Sequence, residues 1–373
     1  MGSSARVVHS EGFHMQGATH RRTFLRGGLV VVAGIAGGVS CASGELGARP
    51  SIREPHVTER YRVFTNLEYA APAGRGHLLD LYVPLQSEGP APVVIFQRGS
   101  AFKDDDTKGK AVADGDDAGR PPPIDGVISA PELASRWVPR GYAVVGLNVR
   151  SSGQVPFPGQ VHDVKAAIRY LRAHAATYGL DPRRFATMGN SSGAWVSMMA
   201  ALTSGVADLE GDLGHSGQSS AIGAVIDLFG PTDFLAMDAH RLPDGNVHDS
   251  PDSPESLLMG FPIHEDPATV QRANPATYVR TDSPPAFIAH GTADPLVPHH
   301  QSELLFEAYA KAGATATLAL LPEVGHTDAY LFDADFSAGR VVTQTSDGVT
   351  VTGTDPAPTF DTLLAFLDTH LRA

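Results

Sequence analysis

Short apolar runs recur along this chain, and stretches with helical spacing fill the gaps between them. Residues 61–67, 77–83, 92–96, 142–148, 184–188, 223–229, 286–289 and 315–321 each read as a strand. The run "VKAAIRYLRAHAATYG" at 164–179 has helical spacing, with Asp163 before it as an N-cap and Gly179 at its end. Residues 194–202, 299–311 and 360–371 give further helices. Strands alternating with helices predict an α/β fold, a mostly parallel sheet covered on both faces. In such sheets, sites form beyond the carboxyl ends of the strands.

Three segments break the rhythm. Residues 103–126 are polar, with "KDDD" and "DGDD"; residues 238–275 are rich in Pro, Asp and His, with short helices. Residues 339–354 alternate like a hairpin around Asp347-Gly348. All three are expected as loops or lid pieces around a site. "ADGDDAG" lacks the full spacing and closing Glu of a calcium loop, so no metal is assigned to it.

The chain has 373 residues and is 42% hydrophobic, enough for a sizeable core. Its net charge of −13 argues against nucleic acid as a partner and favours plain solubility. The N-terminus reads as an export signal. His20-Arg21-Arg22-Thr23-Phe24-Leu25-Arg26 resembles the twin-arginine motif, and an apolar, glycine-rich stretch follows at 27–39. Met15 is an alternative start within reach of the arginines. Cys41, the only cysteine, stands in "GGVSCAS" and raises a lipid anchor as an alternative to cleavage after Ala42. Gly38 occupies the place where lipoprotein sites usually carry Leu, so soluble export is preferred. Either route leaves no disulfide within the chain. The expected organisation is a signal at 1–42, a linker at 43–58 and a single catalytic domain at 59–373.

The candidate chemistry centres on "ATMGNSSGAWVSMMAAL". Gly189-Asn190-Ser191-Ser192-Gly193 matches G-x-S-x-G between a strand and a helix, the setting of a nucleophile elbow. Ser191 is then the nucleophile, held in a strained turn. The flanking glycines are needed because a Cβ would clash with the neighbouring strand and helix. Ser192 is expected to supply its backbone N–H and not its hydroxyl, so Ser192→Ala should be far milder than Ser191→Ala. A Gly/Ser-rich turn without chemistry is the plain alternative.

A serine hydroxyl needs a base, and the base an orienting acid. The chain order Ser, acid, His selects Asp294 in "AFIAHGTADPLVP" and His326 in "LALLPEVGHTD", both in loops after strands. Asp233 is the backup acid, and Asp328 competes but follows the histidine. His290 is read as structural, and His299 and His300 as surface residues. An oxyanion hole needs two backbone N–H donors. One is assigned to Ser192, the other to Ser100 or Ala101 in "VVIFQRGSAF", where Arg98-Gly99-Ser100-Ala101-Phe102 resembles the His-Gly-Gly-x-Phe pattern of esterases. Loss of one such donor costs about 3–4 kcal/mol of barrier.

Taken together, "PFPGQVHDVKAAIRYLRAHAATYGLDPRRFATMGNSSGA", "DSPESLLMG", "HGTADPLVPHHQSELL" and "PEVGH" resemble the α/β-hydrolase esterase/lipase group, on its bacterial feruloyl-esterase-like branch. The resemblance spreads over most of residues 60–330. It implies a serine carboxylesterase without cofactor or metal, acting on a small-molecule or polymer-borne ester. Membrane association follows only if Cys41 is lipidated. The departures are Arg98 in the oxyanion loop, the acidic segment after it, and the hairpin between His326 and the last helix. They bear on the substrate, not on the chemistry. An acyltransferase and a serine exopeptidase use the same apparatus, although exopeptidases of this fold usually carry a large extra domain. A non-catalytic binding protein would typically lack a triad member.

Overall fold

The apolar runs pair into one 11-stranded sheet of order β1-β2-β3-β5-β4-β6-β7-β8-β9-β10-β11. The strands are β1 His56–Val57, β2 Tyr61–Glu68, β3 Leu78–Pro84, β4 Ala91–Gln97, β5 Ala143–Leu147 and β6 Leu180–Asn190, then β7 Ala224–Leu228, β8 Ala286–Gly291, β9 Ala316–Leu321, β10 Val341–Ser346 and β11 Val349–Gly353. The computed structural model describes residues 55–109 and 128–372. The expected export signal with Arg21 and Arg22, the expected lipidation site Cys41 and the "ADGDDAG" stretch lie outside the described residues.

Neighbours from β5 across to β9 run parallel, and the outer strands on both sides pair antiparallel. The parallel strands are mostly apolar because both of their faces are covered. Alternate residues of β4 feed different cores. Val93 and Ile95 join Val161, Ile168, Trp195, Met199 and Leu305 from the helices Gly159–Ala173, Ser192–Leu202 and His300–Ala312. Val94 and Phe96 join Leu133, Trp137, Leu363 and Leu367 from the helices Ala130–Trp137 and Phe360–Leu371. Strand β4 pairs with β5 on one side and β6 on the other. The chain order reverses there, which opens a crevice at the carboxyl ends of β4 and β6.

The structure departs from the sequence reading in a few places. Asp163 does not cap a helix. The helix begins a turn earlier, at Gly159, and buries Asp163 in its interior. Its carboxylate accepts from Arg150 Nη2 at 2.6 Å and from the Arg150 backbone N–H at 2.9 Å, with His77 Nε2 at 3.1 Å. The helix breaks at His174 and resumes as the short turn Ala175–Tyr178, which Gly179 ends in the left-handed region. Strand β6 is longer than 184–188, and β1 claims His56 and Val57 from the expected linker. The helix Ala130–Trp137 is absent from the sequence reading. Ser129 caps it by accepting from Glu132 N–H, and Pro131 fits its first turn. The hairpin at 339–354 is present, with positive φ at both Asp347 and Gly348, as a two-residue turn of this kind requires.

The acidic segment is pinned where it leaves the loop after β4. Arg75 reaches Asp104, Asp105 and Asp106 at 3.4, 2.7 and 3.0 Å. Asn148 Oδ1 accepts the N–H groups of Thr107 and Lys108 at 2.7 and 2.8 Å, and Lys108 pairs with buried Asp80 at 2.7 Å. No helix among the described residues is long and apolar enough to cross a membrane.

Candidate active site

Strand β6 runs straight into the helix Ser192–Leu202, and Ser191 is the hinge, at φ 52° and ψ −129°. A residue with a Cβ is strained there and persists only if its surroundings hold it. They do so tightly. Leu228 O at the end of β7 accepts Ser191 N–H at 2.9 Å. A Cβ on Gly189 would lie 2.3 Å from the Gly193 carbonyl, and one on Gly193 would lie 2.1 Å from Gln97 O. The two glycines are thus required by close approach to helix and strand, as the sequence pattern implied.

The loop after β4 packs against the elbow. A Cβ on Gly99 would come within 2.6 Å of Ser191 Cβ. Gly99 N–H donates to Asn190 Oδ1 at 2.7 Å. Ser100 N–H donates to Ser192 Oγ at 2.9 Å, and Phe102 N–H to the same oxygen at 3.4 Å. Two expectations change here. The Ser100 N–H is already engaged, so Ala101 is the better placed of the two candidate donors. No acceptor is paired with Ala101 N–H among the described residues. The Ser192 hydroxyl, expected to be idle, shapes the oxyanion loop. The Ser192 N–H itself belongs to the first turn of its helix, where amides lack an intrahelical acceptor. Ser192→Ala is therefore expected to lower kcat about 10- to 50-fold with KM little changed, a cost of loop order measured by steady-state kinetics.

The candidate acid and base, Asp294 and His326, follow β8 and β9. Asp294 is buried, and its carboxylate is fully used. Leu296 and Val297 N–H donate to Oδ1 at 2.8 and 2.9 Å. His326 Nδ1 meets Oδ2 at 2.6 Å and His290 Nε2 meets it at 3.2 Å. Burial opposes the charge, but the hydrogen bonds from His290 and His326 outweigh it and hold the carboxyl well below the usual range. With Nδ1–H committed to Asp294, His326 Nε2 keeps its lone pair, and its side chain is 16% exposed. The two loops are stitched together by Ala293 N–H to Val324 O at 2.9 Å. A Cβ on Gly291 would sit 2.1 Å from that same oxygen.

Strand β7 lies between β6, which leads into Ser191, and β8, which leads to Asp294. Leu228 O holds Ser191, and the next residue, Phe229, turns its ring edge-on to His326 at 4.6 Å. The four loops after β4, β6, β8 and β9 thus share one end of the sheet.

The competing residues have other partners. His290 Nδ1 bonds Ser302 Oγ at 2.7 Å and its Nε2 lies 2.9 Å from Val297 O, a structural brace for the Asp294 loop. Asp233 caps a short turn by accepting from Leu235 N–H at 3.1 Å. Asp328 accepts from Ile128 N–H and Asn190 Nδ2. His299 and His300 are half-buried, not surface residues, and their donor atoms and that of Glu303 lie within 4.8 Å of one another. The two rings stack at 4.2 Å with a 36° tilt, and His240 stacks on His300 at 4.4 Å.

The chain matches the BD-FAE family over residues 126–309. It is 30% identical to a solved "truncated form of carbohydrate esterase from gut microbiota", with a TM-score of 0.67, covering 86% of this chain and 100% of that one. It is 31% identical to esterase LipQ of Mycobacterium tuberculosis over 74% of this chain and 60% of that protein. Esterase B from Lactobacillus rhamnosis has a similar fold, with a TM-score of 0.55 at 20% identity, over 73% of this chain and 80% of that one. The chain spans 60% and 48% of the lengths of two curated mycobacterial relatives.

Proposed function

The chain belongs to the α/β-hydrolase esterases, and from that premise we propose that it hydrolyses carboxylic esters through an acyl-enzyme on Ser191. Ser191 Oγ attacks the ester carbonyl, and its proton passes to His326 Nε2. Asp294 keeps the imidazole in the Nδ1–H form and stabilises it once charged. The tetrahedral oxyanion is held by the N–H groups of Ser192 and Ala101. His326 returns the proton to the leaving alcohol, the C–O bond breaks, and water repeats the sequence to free the acid and Ser191. The observation that carries this reading is the 2.6 Å bond from His326 to the buried Asp294 carboxylate, set across β7 from the strained serine.

The proposed setting is outside the cell. The twin arginines, the short apolar stretch and Cys41 support export in either soluble or lipid-anchored form. The proposed substrate class is acyl esters carried on carbohydrate, which the carbohydrate esterase relative supports. A p-nitrophenyl ester panel from acetate to palmitate tests the chemistry, with Ser191→Ala alongside. Serine-dependent turnover that falls with chain length is the expected result. A folded protein that cleaves no ester in the panel overturns the proposal.

A further inference from the structure

A hydrogen-bond chain with no assigned role runs beneath the site. Asn190, the residue before the nucleophile, and Asp328, two residues after His326, are 3% and 0% exposed. Asn190 Nδ2 donates to Asp328 Oδ2 at 2.8 Å, while Asn190 Oδ1 accepts Gly99 N–H at 2.7 Å. Asp328 Oδ1 and Oδ2 accept Ile128 N–H at 3.1 and 3.0 Å. One amide therefore faces a backbone donor with its oxygen and a carboxylate with its nitrogen. Only a side chain with both an acceptor and a donor at that reach serves both neighbours.

We propose that Asn190 and Asp328 are a pair of positioning residues that lock the nucleophile elbow, the oxyanion loop and the histidine loop into one catalytic register. The inference rests on the assignment of Ser191 and His326 made above. Each loop contributes one end of the chain. Gly99 lies two residues before the Ala101 donor, Asn190 adjoins Ser191, and Asp328 lies two residues after His326. The fourth attachment, Ile128, opens the stretch into the helix Ala130–Trp137. A carboxylate buried here is costly, and burial pushes the Asp328 carboxyl up to about 6 against the bonds from Ile128 and Asn190. An apolar contact would fill this space without that cost, but it would not fix the orientation of either loop.

The test exploits the symmetry of the pair. Asn190→Asp alone sets two carboxylates against each other. Asp328→Asn alone keeps an acceptor for Asn190 and leaves its own NH2 group facing donors, without an acceptor. The exchange Asn190→Asp with Asp328→Asn restores the bond between the two side chains in reverse and keeps an acceptor for Gly99 N–H and for Ile128 N–H. The carboxylate now at position 190 would accept from Gly99 N–H and from the amide nitrogen now at position 328, whose amide oxygen would accept from Ile128 N–H. kcat and KM on p-nitrophenyl acetate, and Tm, are measured for the three variants, with Ser191→Ala as the background. Asn190→Asp is expected to lower kcat about 30- to 100-fold with KM within about threefold, since small misplacements at a reacting centre have effects of that size. The exchange is expected to recover at least about tenfold of that loss. If Asn190→Asp does not fold, Asn190→Ser takes its place, with the same expected loss in kcat. The inference is overturned if the exchanged protein is as slow as the single variant, or if the substitution at 190 leaves kcat within about threefold of the parent. Activity surviving in Ser191→Ala would instead sink the underlying assignment of the nucleophile, so the two failures are distinguishable.

Discussion

Ser191→Ala should lower kcat on a p-nitrophenyl ester by roughly four to six orders of magnitude while leaving Tm unchanged. The size follows from what the site lacks once Oγ is gone. Ser192, the adjacent hydroxyl, is occupied by the N–H groups of Ser100 and Phe102 and cannot step in. The oxyanion donors and the His326–Asp294 pair would survive, and they account for the residual rate over water. Tm should hold because alanine carries the same Cβ into the same backbone, at φ 52°. Ser191→Gly sharpens the point. Glycine enters that region without strain, so this variant should be equally inactive yet more stable by about 1 kcal/mol. Thermal melts beside single-turnover assays check both halves. A Ser191→Ala protein that still turns over ester would place the nucleophile elsewhere.

Gly193→Ala should be among the most damaging single methyl additions in the described residues, costing about 3–5 kcal/mol of stability and at least about 100-fold in kcat. The added Cβ would lie 2.1 Å from Gln97 O and 2.8 Å from Gln97 C. These are backbone atoms at the end of β4, so no side-chain rotation relieves the overlap. Either the helix Ser192–Leu202 lifts off the sheet or β4 bends, and both movements displace the loop that carries Ala101. Gly179→Ala is the matched control. Gly179 sits at φ 73° but has nothing within 4 Å of the added Cβ, so its cost should be only about 1 kcal/mol, with kcat intact. Denaturant melts of the two variants separate close approach from backbone strain.

The parts of the site that were legible in the sequence are those written into a few adjacent residues. Gly189 and Gly193 around Ser191 announce the elbow because the steric demand is local. Asp347-Gly348 announces the hairpin for the same reason, and the order Asp294 then His326 follows from loops that end strands. What escaped depends on partners far away in the chain. Asn190 is the unremarked first x of G-x-S-x-G until Asp328 comes to lie 2.8 Å from it. Asp163 looks like a cap because a short acid before an apolar run usually is one. Arg150 and His77 instead draw it inside the helix. The hydroxyl of Ser192 shows the same limit. A motif specifies which backbone amides must be free, but the side chains that hold them open are chosen by the fold.

The sheet has antiparallel selvedges. β1, β2 and β3 close one side and β10 and β11 the other. None of the strands whose loops carry the site lies at an end of the order; each has a neighbour on both sides. β9 would be a border strand without the hairpin, and it is the strand that delivers His326. With β10 laid against it, β9 is paired along both margins. Fraying begins where ladder bonds have one side open, and it costs least there. The hairpin, with Val349 and Val351 facing solvent, acts as a hem. It can loosen first, thread by thread, while the weave that leads to Ser191, Asp294 and His326 stays closed.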